Sequence, residues 1–394
     1  MVALYWWVNG MDNVVMETNL GMQESKQNSK DTQLNQEQTF HSTSLSSCLQ
    51  EITDHLSPVE TLDYRLPLKS LSALSLIEKE QLTFGSLQKQ ACLGKALILG
   101  GAFVDVTLLL DHIPPVGGDS YAQELNVGVG GCAINVANIV RDLGIDHKIK
   151  VPLGNGPYAQ LSHDQLLKDG YGESDFIIVP QSPYDCAYCL CMIDKDGERT
   201  FVAVPGIENH IQKEWLSDLA IEDYDLIYFV GFDLTDDNGL VYLNEIKERK
   251  KDSAVIFFDA GARVNFIKPE AFELLLSLNP IIHLNRMELE LITKTNNIKA
   301  GLEHLSTLTT APVILSLDID GAVVSYQGHY HHFPVVPQKV IDATGAGDSQ
   351  SAGIIAALLK GATLEQAMYL GNTLASYCIK QVSARLSLPS DFSY

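Results

Sequence analysis

Basic residues are scarce in this sequence. Lys and Arg number 27 against 49 Asp and Glu, which gives a formal net charge of −22. A surface of this sign repels the phosphate backbone of nucleic acids and anionic membranes, so the charge argues against both as partners. An anionic ligand must therefore be held locally, by backbone amides or by a metal ion.

Long apolar runs are also absent, and no stretch reaches the length that spans a bilayer. The N-terminus lacks the basic start and the long apolar stretch of a signal peptide. The seven cysteines are odd in number and scattered, which favours reduced thiols over a disulfide framework. These absences predict a cytoplasmic protein that does not contact a membrane.

Composition changes near residue 95 and divides the chain in two. Residues 1–60 are rich in Gln, Asn, Ser and Thr and show no sustained hydrophobic period, so we expect them to be largely disordered. Residues 61–94 are more apolar, and residues 71–87 can form a helix. We therefore expect an N-terminal extension over residues 1–94, disordered or peripheral, and one domain over residues 95–394.

Short apolar runs alternate with helical patterns from residue 95 onward. Strands are predicted at Ala96–Leu99, Leu226–Val230, Val255–Asp259, Ile281–Leu284 and Val313–Leu317. This alternation predicts an α/β fold with a mainly parallel sheet covered by helices on both faces. A polar-alternating run near residues 121–127 and a predicted hairpin at residues 186–204 suggest a small β-flap attached to it.

The segment Val340–Asp348 reads VIDATGAGD and carries the strongest chemical signal. Its small residues allow a tight turn, and the apolar run that follows predicts a helix to Leu359. The backbone amides then lie at a helix N-terminus, where anions bind. Asp348 at the same place can accept a proton from a substrate hydroxyl. A helix simply capped by Asp after a glycine turn is the plainer alternative.

A second glycine-rich segment, residues 128–138, precedes a predicted helix from Cys132. Gly128, Gly130 and Ala133 formally fit a dinucleotide-binding fingerprint, but the preceding run does not read as a buried strand. A dehydrogenase is therefore kept only as an alternative. A glycine pair opening a helix that carries Asn135 suits contact with sugar hydroxyls, and tight helix packing is the plainer alternative.

Four segments in order resemble the ribokinase family, also called the PfkB carbohydrate kinases. The family's two signatures are matched by GGCAIN at 130–135 and by DATGAGD at 342–348. Asn285-Arg286-Met287-Glu288 is similar to its N-x-x-E motif, and residues 100–105 resemble its first strand and sugar-binding Asp. The resemblance implies a three-layer α/β/α sandwich with a mainly parallel central sheet and a β-flap that acts as a lid over residues near 121–127 and 186–204.

The resemblance also implies an activity, namely transfer of the γ-phosphate of ATP to a hydroxymethyl group of a sugar or nucleoside. It makes Asp348 the catalytic base and forms an anion hole from the amides of Gly345, Ala346 and Gly347. The implied sugar contacts are Asp105, Gly130, Gly131 and Asn135. The implied contacts to ATP and Mg²⁺ are Asn285, Glu288 (through water), Ser316, Gly321 and Asn372. Asp342 and Thr344 match positions near a monovalent cation, usually K⁺, and the lid implies a homodimer.

Departures from the family pattern leave alternatives open. Asp318 stands where the family usually has Gly, and an acidic residue there could weaken ATP binding. A non-catalytic sugar- or nucleotide-binding regulatory protein on a kinase fold is therefore a second hypothesis. Asn285 and Glu288 could instead be a loop cap, and Arg199 could lie near the substrate or in a plain hairpin. We interpret Cys186, Cys189 and Cys191 as core thiols rather than metal ligands. We interpret His329 and His331 as residues of an exposed strand rather than metal ligands.

Overall fold

The structure is a computed structural model that describes residues 47–69, 90–195 and 198–388. The helix predicted over residues 71–87 lies outside the described residues. So do residues 1–46 of the segment expected to be disordered, and the turn residues Asp196 and Gly197.

The described residues form thirteen strands in two sheets. The strands are β1 (Ala96–Leu99), β2 (Phe103–Leu110), β3 (Ala122–Gly130), β4 (His147–Leu153), β5 (Phe176–Ile178), β6 (Tyr188–Ile193), β7 (Arg199–Val204), β8 (Leu226–Val230), β9 (Val255–Asp259), β10 (Ile281–Asn285), β11 (Val313–Ser316), β12 (Ala322–Tyr326) and β13 (His329–Phe333).

The larger sheet has nine strands in the order β13-β12-β11-β10-β9-β8-β1-β4-β5. From β11 to β5 all neighbours are parallel, whereas β12 pairs antiparallel with both β11 and β13. Its central strands are continuous apolar runs, and β1 and β8 are buried at every position. Burial on both faces explains this pattern, because a parallel sheet is covered by helices on each side.

Eight helices of eight residues or more lie in the described part of the chain. They are α1 (Cys132–Asp142), α2 (Pro157–Lys168), α3 (Asn238–Arg249), α4 (Pro269–Ser277), α5 (Arg286–Thr293), α6 (Ile298–Leu308), α7 (Ala346–Leu359) and α8 (Leu364–Cys378). The first two and the last two pack into one hydrophobic cluster, and α3 to α6 into a second. The two clusters lie on opposite faces of the sheet, so the predicted three-layer α/β/α sandwich is confirmed.

The smaller sheet has the order β3-β2-β6-β7 and corresponds to the predicted flap. β3 and β7 pair antiparallel with their neighbours, while β2 and β6 run parallel. β3 is exposed over most of its length, because its polar-alternating residues have no layer above them. We call this sheet the lid.

Helix α7 is buried from Asp348 to Leu359. It lies against both α1 and α8 in the first hydrophobic cluster, so its small and aliphatic residues meet protein on all sides. This packing holds the first turn of α7, with Asp348, in a fixed position.

No helix in the described part of the chain is long and apolar enough to cross a membrane.

Residues 47–69 pack on the domain and differ in this from the disorder expected over residues 1–60. Leu62, Leu66 and Leu68 are buried in the first cluster, whereas Leu49 and Ile52 are buried in the second. These side chains join two different hydrophobic clusters instead of forming one amphipathic element, so no hydrophobic period reveals them in the sequence. The domain boundary at residues 94–95 stays a prediction.

Candidate functional site

One large cavity of about 710 Å³ lies between the lid and the carboxyl ends of the parallel strands. Residues at or just after the carboxyl ends of β1, β8, β9, β10 and β11 line it, among them Gly101, Asp233, Asp259, Asn285 and Ser316. Ligands of open α/β sheets bind at this edge, where the strands end and the loops diverge. The cavity gathers every residue of the predicted catalytic, sugar and nucleotide sets except Gly130.

Asp348 lies in the first turn of α7 and is 9% exposed. The side-chain amide of Asn135, in the first turn of α1, donates a hydrogen bond of 2.7 Å to its Oδ2. Burial raises the pKa of Asp348 to about 6, and the nearby Asp259 adds to this effect. A carboxylate in this state is ionised near neutral pH and remains a stronger base than an exposed one.

The loop before Asp348 turns sharply at Gly345. Gly345 has φ +81°, and a Cβ there would lie 2.4 Å from the carbonyl oxygen of Ala384, so only glycine fits. The Ala346 amide closes a turn onto the Ala343 carbonyl at 3.2 Å. The following amides of the first turn of α7 have no carbonyl partner within the helix, which is the arrangement that binds anions.

The predicted sugar residues meet at the other side of Asp348. A Cβ built on Gly130 would lie 2.9 Å from Oδ2 of Asp105 and 3.7 Å from Oδ1 of Asn135. Burial, followed by the charge of Asp348, raises the pKa of Asp105 to about 6. Gly131 has φ +102° and approaches the Gly101 carbonyl, since a Cβ there would lie 2.9 Å from that oxygen. The lid strand β2 and helix α1 thus bring polar groups into one cluster.

Asn285 and Glu288 form a helix cap and also line the cavity. The Glu288 amide donates to Oδ1 of Asn285 at 3.0 Å, and the Asn285 amide donates to Oε2 of Glu288 at 2.9 Å. Glu288 is 6% exposed, and burial together with Asp259 raises its pKa to about 7. The structure thus shows the helix cap, and the capping bonds hold both side chains where they line the cavity. Their contact with ATP and Mg²⁺ stays a prediction.

Ser316, Gly321 and Asn372 line the far end of the cavity. Gln350 links two of them, since it accepts from Ser316 Oγ at 2.6 Å and donates to Oδ1 of Asn372 at 2.6 Å. Asp318 lines the same end and has φ +51°, a left-handed conformation that costs little for Asp and less for glycine. The departure from the family pattern thus leaves the turn in place but adds an acidic group.

From the sequence we did not identify a buried polar network that joins β9, β10 and α7. The Nδ1 of His283 lies 3.2 Å from Oδ2 of Asp259 and 3.0 Å from Ser351 Oγ, and its Nε2 lies 2.8 Å from Oε1 of Gln350. Burial opposes protonation, but Asp259 and the hydrogen bonds outweigh it and raise the pKa of His283 to about 9. The sequence does contain an indication of this network, because Asp259 and His283 are polar residues in otherwise apolar strands.

Over residues 47–69, 90–195 and 198–388, neither the cysteines nor the histidines form a metal site. Among the described residues, no group of three or more His, Cys, Asp or Glu side chains could hold a metal ion. Cys186 and Cys189 are buried free thiols at the start of the lid strand β6. His329 Nδ1 lies 3.0 Å from Ser57 Oγ, and His331 Nδ1 lies 2.9 Å from the Pro58 carbonyl, so both contact the segment 47–69.

The glycine segment 128–133 does not follow a buried strand of the central sheet. It lies at the end of β3, which pairs antiparallel with β2 in the lid. A dinucleotide fingerprint needs a strand of the parallel sheet at this place. The dehydrogenase alternative therefore lacks its structural context.

The family resemblance implies three bound groups, namely ATP, Mg²⁺ and K⁺. The residues present suit ATP and Mg²⁺ but not K⁺. The cavity volume and the amides at the N-terminus of α7 suit the triphosphate of ATP, and Glu288 supplies oxygen donors of the kind that Mg²⁺ prefers. The expected K⁺ position fits poorly. The Arg199 guanidinium donates to Asp342 Oδ1 at 2.6 Å and to Thr344 Oγ1 at 3.0 Å, and so already supplies a positive charge there.

Comparison with known proteins shows the family of this chain. Residues 94–391 match the family model described as pfkB family carbohydrate kinase. The uncharacterized sugar kinase YegV of Escherichia coli (strain K12) is 30% identical over 287 residues, which are 72% of this chain and 88% of that protein.

Solved structures show the same fold. Ribokinase from Thermotoga maritima gives a TM-score of 0.64 at 23% identity, over 74% of this chain and 94% of that one. Arabidopsis thaliana ribokinase complexed with ribose and ATP gives 0.63 at 18% identity over the same shares. The match of the family model to three quarters of the chain and the identity to the bacterial sugar kinase lead to one conclusion: this chain belongs to the pfkB family of carbohydrate kinases.

Proposed function

We propose that this protein is an ATP-dependent phosphotransferase that moves the γ-phosphate of ATP to a hydroxymethyl group of a sugar or nucleoside. The observation that carries the proposal is the position of Asp348. Its buried carboxylate lies at the N-terminus of α7, next to the glycine turn, and is oriented by Asn135. One carboxylate thus adjoins both the anion-binding amides and the cluster of sugar-binding groups.

In the proposed reaction, the hydroxyl oxygen of the acceptor attacks the γ-phosphorus of ATP. Asp348 accepts the proton that this hydroxyl releases. The new O–P bond forms as the bond to the β-phosphate oxygen breaks, and ADP leaves. The amides of residues 345–347 stabilise the charge on the transferred group. Mg²⁺, when bound, would neutralise part of the charge on the phosphates, and Glu288 and Asn285 are the residues that would hold it.

The charge around Asp348 supports a neutral acceptor. Asp105 lies beside Asp348 in the same cavity, and Asp233 and Arg263 line it as well. Burial raises the pKa of Asp233 to about 7 and that of the nearby Glu208 to about 8, so the charged carboxylates next to the acceptor are chiefly Asp348 and Asp105. Carboxylates accept hydrogen bonds from hydroxyl groups but repel phosphate and carboxylate groups. A neutral sugar or nucleoside therefore fits better than a phosphorylated sugar or a sugar acid.

A second candidate function is a sugar- or nucleotide-binding protein without turnover. It is favoured by Asp318, because this acidic residue lines the end of the cavity proposed for ATP. The two functions differ in one measurable outcome, which is the formation of ADP and a phosphorylated acceptor.

The test is ADP release with MgATP against a panel of pentoses, hexoses, sugar acids and nucleosides. Asp348→Asn is expected to lower kcat by about 10²- to 10⁴-fold with unchanged ATP binding, since general base catalysis contributes that much. The exposed Asp252→Asn serves as the matched control. Residual activity near the wild-type level in Asp348→Asn contradicts the base. Acceptor binding by calorimetry without any ADP favours the second candidate.

Three further proposals accompany the activity. The match of the family model to residues 94–391 supports a kinase domain that begins near residue 95. The lid carries exposed apolar side chains, including Tyr121 and Leu125, which support a homodimer through this surface. The free thiols of the described cysteines support a reducing, cytoplasmic location.

A further inference from the structure

Arg199 connects the lid to the loop that carries the anion hole. It is the first residue of β7 in the lid, and its guanidinium reaches across the cavity edge to Asp342 and Thr344. The side chains are largely covered, with 30% of Arg199 and 10% of Asp342 exposed. A short ion pair with little water around it is stronger than a surface pair.

The oxygen atoms around Asp342 are engaged by N–H donors. Its Oδ1 accepts from the Thr344 amide at 2.9 Å as well as from Arg199, and its Oδ2 accepts from the Ser383 amide at 3.3 Å. The nearby Ile379 carbonyl accepts from two backbone amides, at 2.7 and 3.3 Å. A K⁺ ion needs several oxygen ligands of this type, and here the donors compete for them.

The charges also disfavour a second cation. The Arg199 guanidinium lies 2.6 Å from Oδ1 of Asp342 and so already supplies a positive charge to that carboxylate. One carboxylate balanced by one guanidinium is neutral, and an added cation would be repelled by Arg199.

We infer that Arg199 replaces the monovalent cation at Asp342, so that the lid itself supplies the positive charge that orders the anion-hole loop. When the lid is closed, Arg199 contacts Asp342 and Thr344 and so orders the anion-hole loop. When the lid opens, Asp342 loses the positive charge of Arg199. Arg199 is a positioning residue in this arrangement, because it acts on the 345–347 amides through Asp342 and Thr344. The inference rests on the proposed kinase function for its catalytic consequence but not for the cation binding itself.

The test is a K⁺ titration from zero to about 100 mM at constant ionic strength, with tetramethylammonium as the replacement ion. Two quantities are measured, the melting temperature and the rate of ADP formation with the best acceptor. The variants are Arg199→Gln, Arg199→Lys and the matched control Thr200→Ala, whose side chain lies on the other face of β7.

We expect the wild type and Thr200→Ala to respond to K⁺ by less than about twofold in rate, with no specific change in melting temperature. Arg199→Gln is expected to lose about tenfold or more in kcat and to regain several-fold on addition of K⁺, with a higher melting temperature. Arg199→Lys keeps the charge and should stay insensitive to K⁺.

Activation of the wild type by K⁺ of more than about fivefold, or its specific stabilisation by K⁺, overturns the inference. The inference is also overturned if the melting temperature of Arg199→Gln does not change on addition of K⁺. If Arg199→Gln fails to fold, the response of the wild type and of Arg199→Lys decides. If the wild type turns over no acceptor, the proposed function fails, while the melting temperatures still decide whether K⁺ binds.

Discussion

The side-chain amide of Asn135 donates a 2.7 Å hydrogen bond to the carboxylate of Asp348, although 213 positions separate the two residues in the chain. Each residue lies in the first turn of its helix, so the N-termini of α1 and α7 meet at the cavity. Asn135 orients the carboxylate without supplying a positive charge. The basicity of Asp348 is therefore set mainly by its burial.

The raised pKa of Asp348 predicts how the rate depends on pH. A base with a pKa of about 6 in the free protein must lose its proton to act, so kcat/KM for the acceptor is expected to rise with pH through about 6 and to level off above 7. The measurement is kcat/KM for the acceptor from pH 5 to 8 at saturating MgATP. A rate that is constant over this range would argue against Asp348 as the group that titrates.

The same shift predicts a stability cost. The folded protein holds the Asp348 proton up to about pH 6, whereas the unfolded chain releases it near 3.8, so ionisation favours unfolding. This cost is complete above pH 6 and disappears as the pH falls toward 3.8. We expect Asp348→Asn to raise the free energy of unfolding by about 1 to 3 kcal/mol at pH 8 and by little at pH 4. Urea denaturation at both pH values measures it, and an equal gain at both would exclude this explanation.

Removing the His283 imidazole is expected to destabilise the fold. His283→Leu removes the charged partner of the buried Asp259 carboxylate, which keeps only the hydrogen bond from the Ser351 hydroxyl, and should cost about 3 to 5 kcal/mol in the free energy of unfolding. The double variant His283→Leu/Asp259→Leu should be more stable than the single one, because it buries no unpaired charge. A double variant that loses the sum of both single costs would show that the two residues do not interact.

The contact of residues 47–69 with the domain can be tested at Leu66. Leu66 is 2% exposed in the first hydrophobic cluster, so Leu66→Ala should lower the free energy of unfolding by about 2 to 4 kcal/mol. Leu167 in α2 lies outside the lid and is 41% exposed, and Leu167→Ala is the matched control with an expected cost below about 1 kcal/mol. Equal costs for the two variants would mean that the segment does not contribute to the core.

Asp318 tests the end of the cavity proposed for ATP. Asp318→Gly removes a negative charge and relieves a left-handed backbone, whereas Asp318→Asn removes only the charge. Both variants are expected to bind MgATP several-fold more tightly, since like charges repel. Calorimetry with MgATP gives the dissociation constants, and unchanged affinity in both would place the phosphates away from Asp318.

The sequence located most of the fold, because its signals are local. The apolar runs of β1 and β8 and the helical spacing of α1 each reflect contacts with a neighbouring layer, and such contacts repeat along the chain. The glycine turn before Asp348 is local in the same sense, since the left-handed Gly345 and the helix that follows are consecutive residues. These features fixed the α/β class and drew attention to residues 342–348.

Only the tertiary structure decided which distant side chains meet. Arg199 and Asp342 are separated by 143 positions, and no spacing or composition shows that the lid reaches the anion-hole loop. Asp259, His283 and Gln350 lie on three different elements, and their network exists because the strand ends converge on α7. The sequence thus determined the local elements and the motif at their junction, through contacts repeated along the chain. The pairing of charges within the site depends on how those elements pack, which no local pattern encodes.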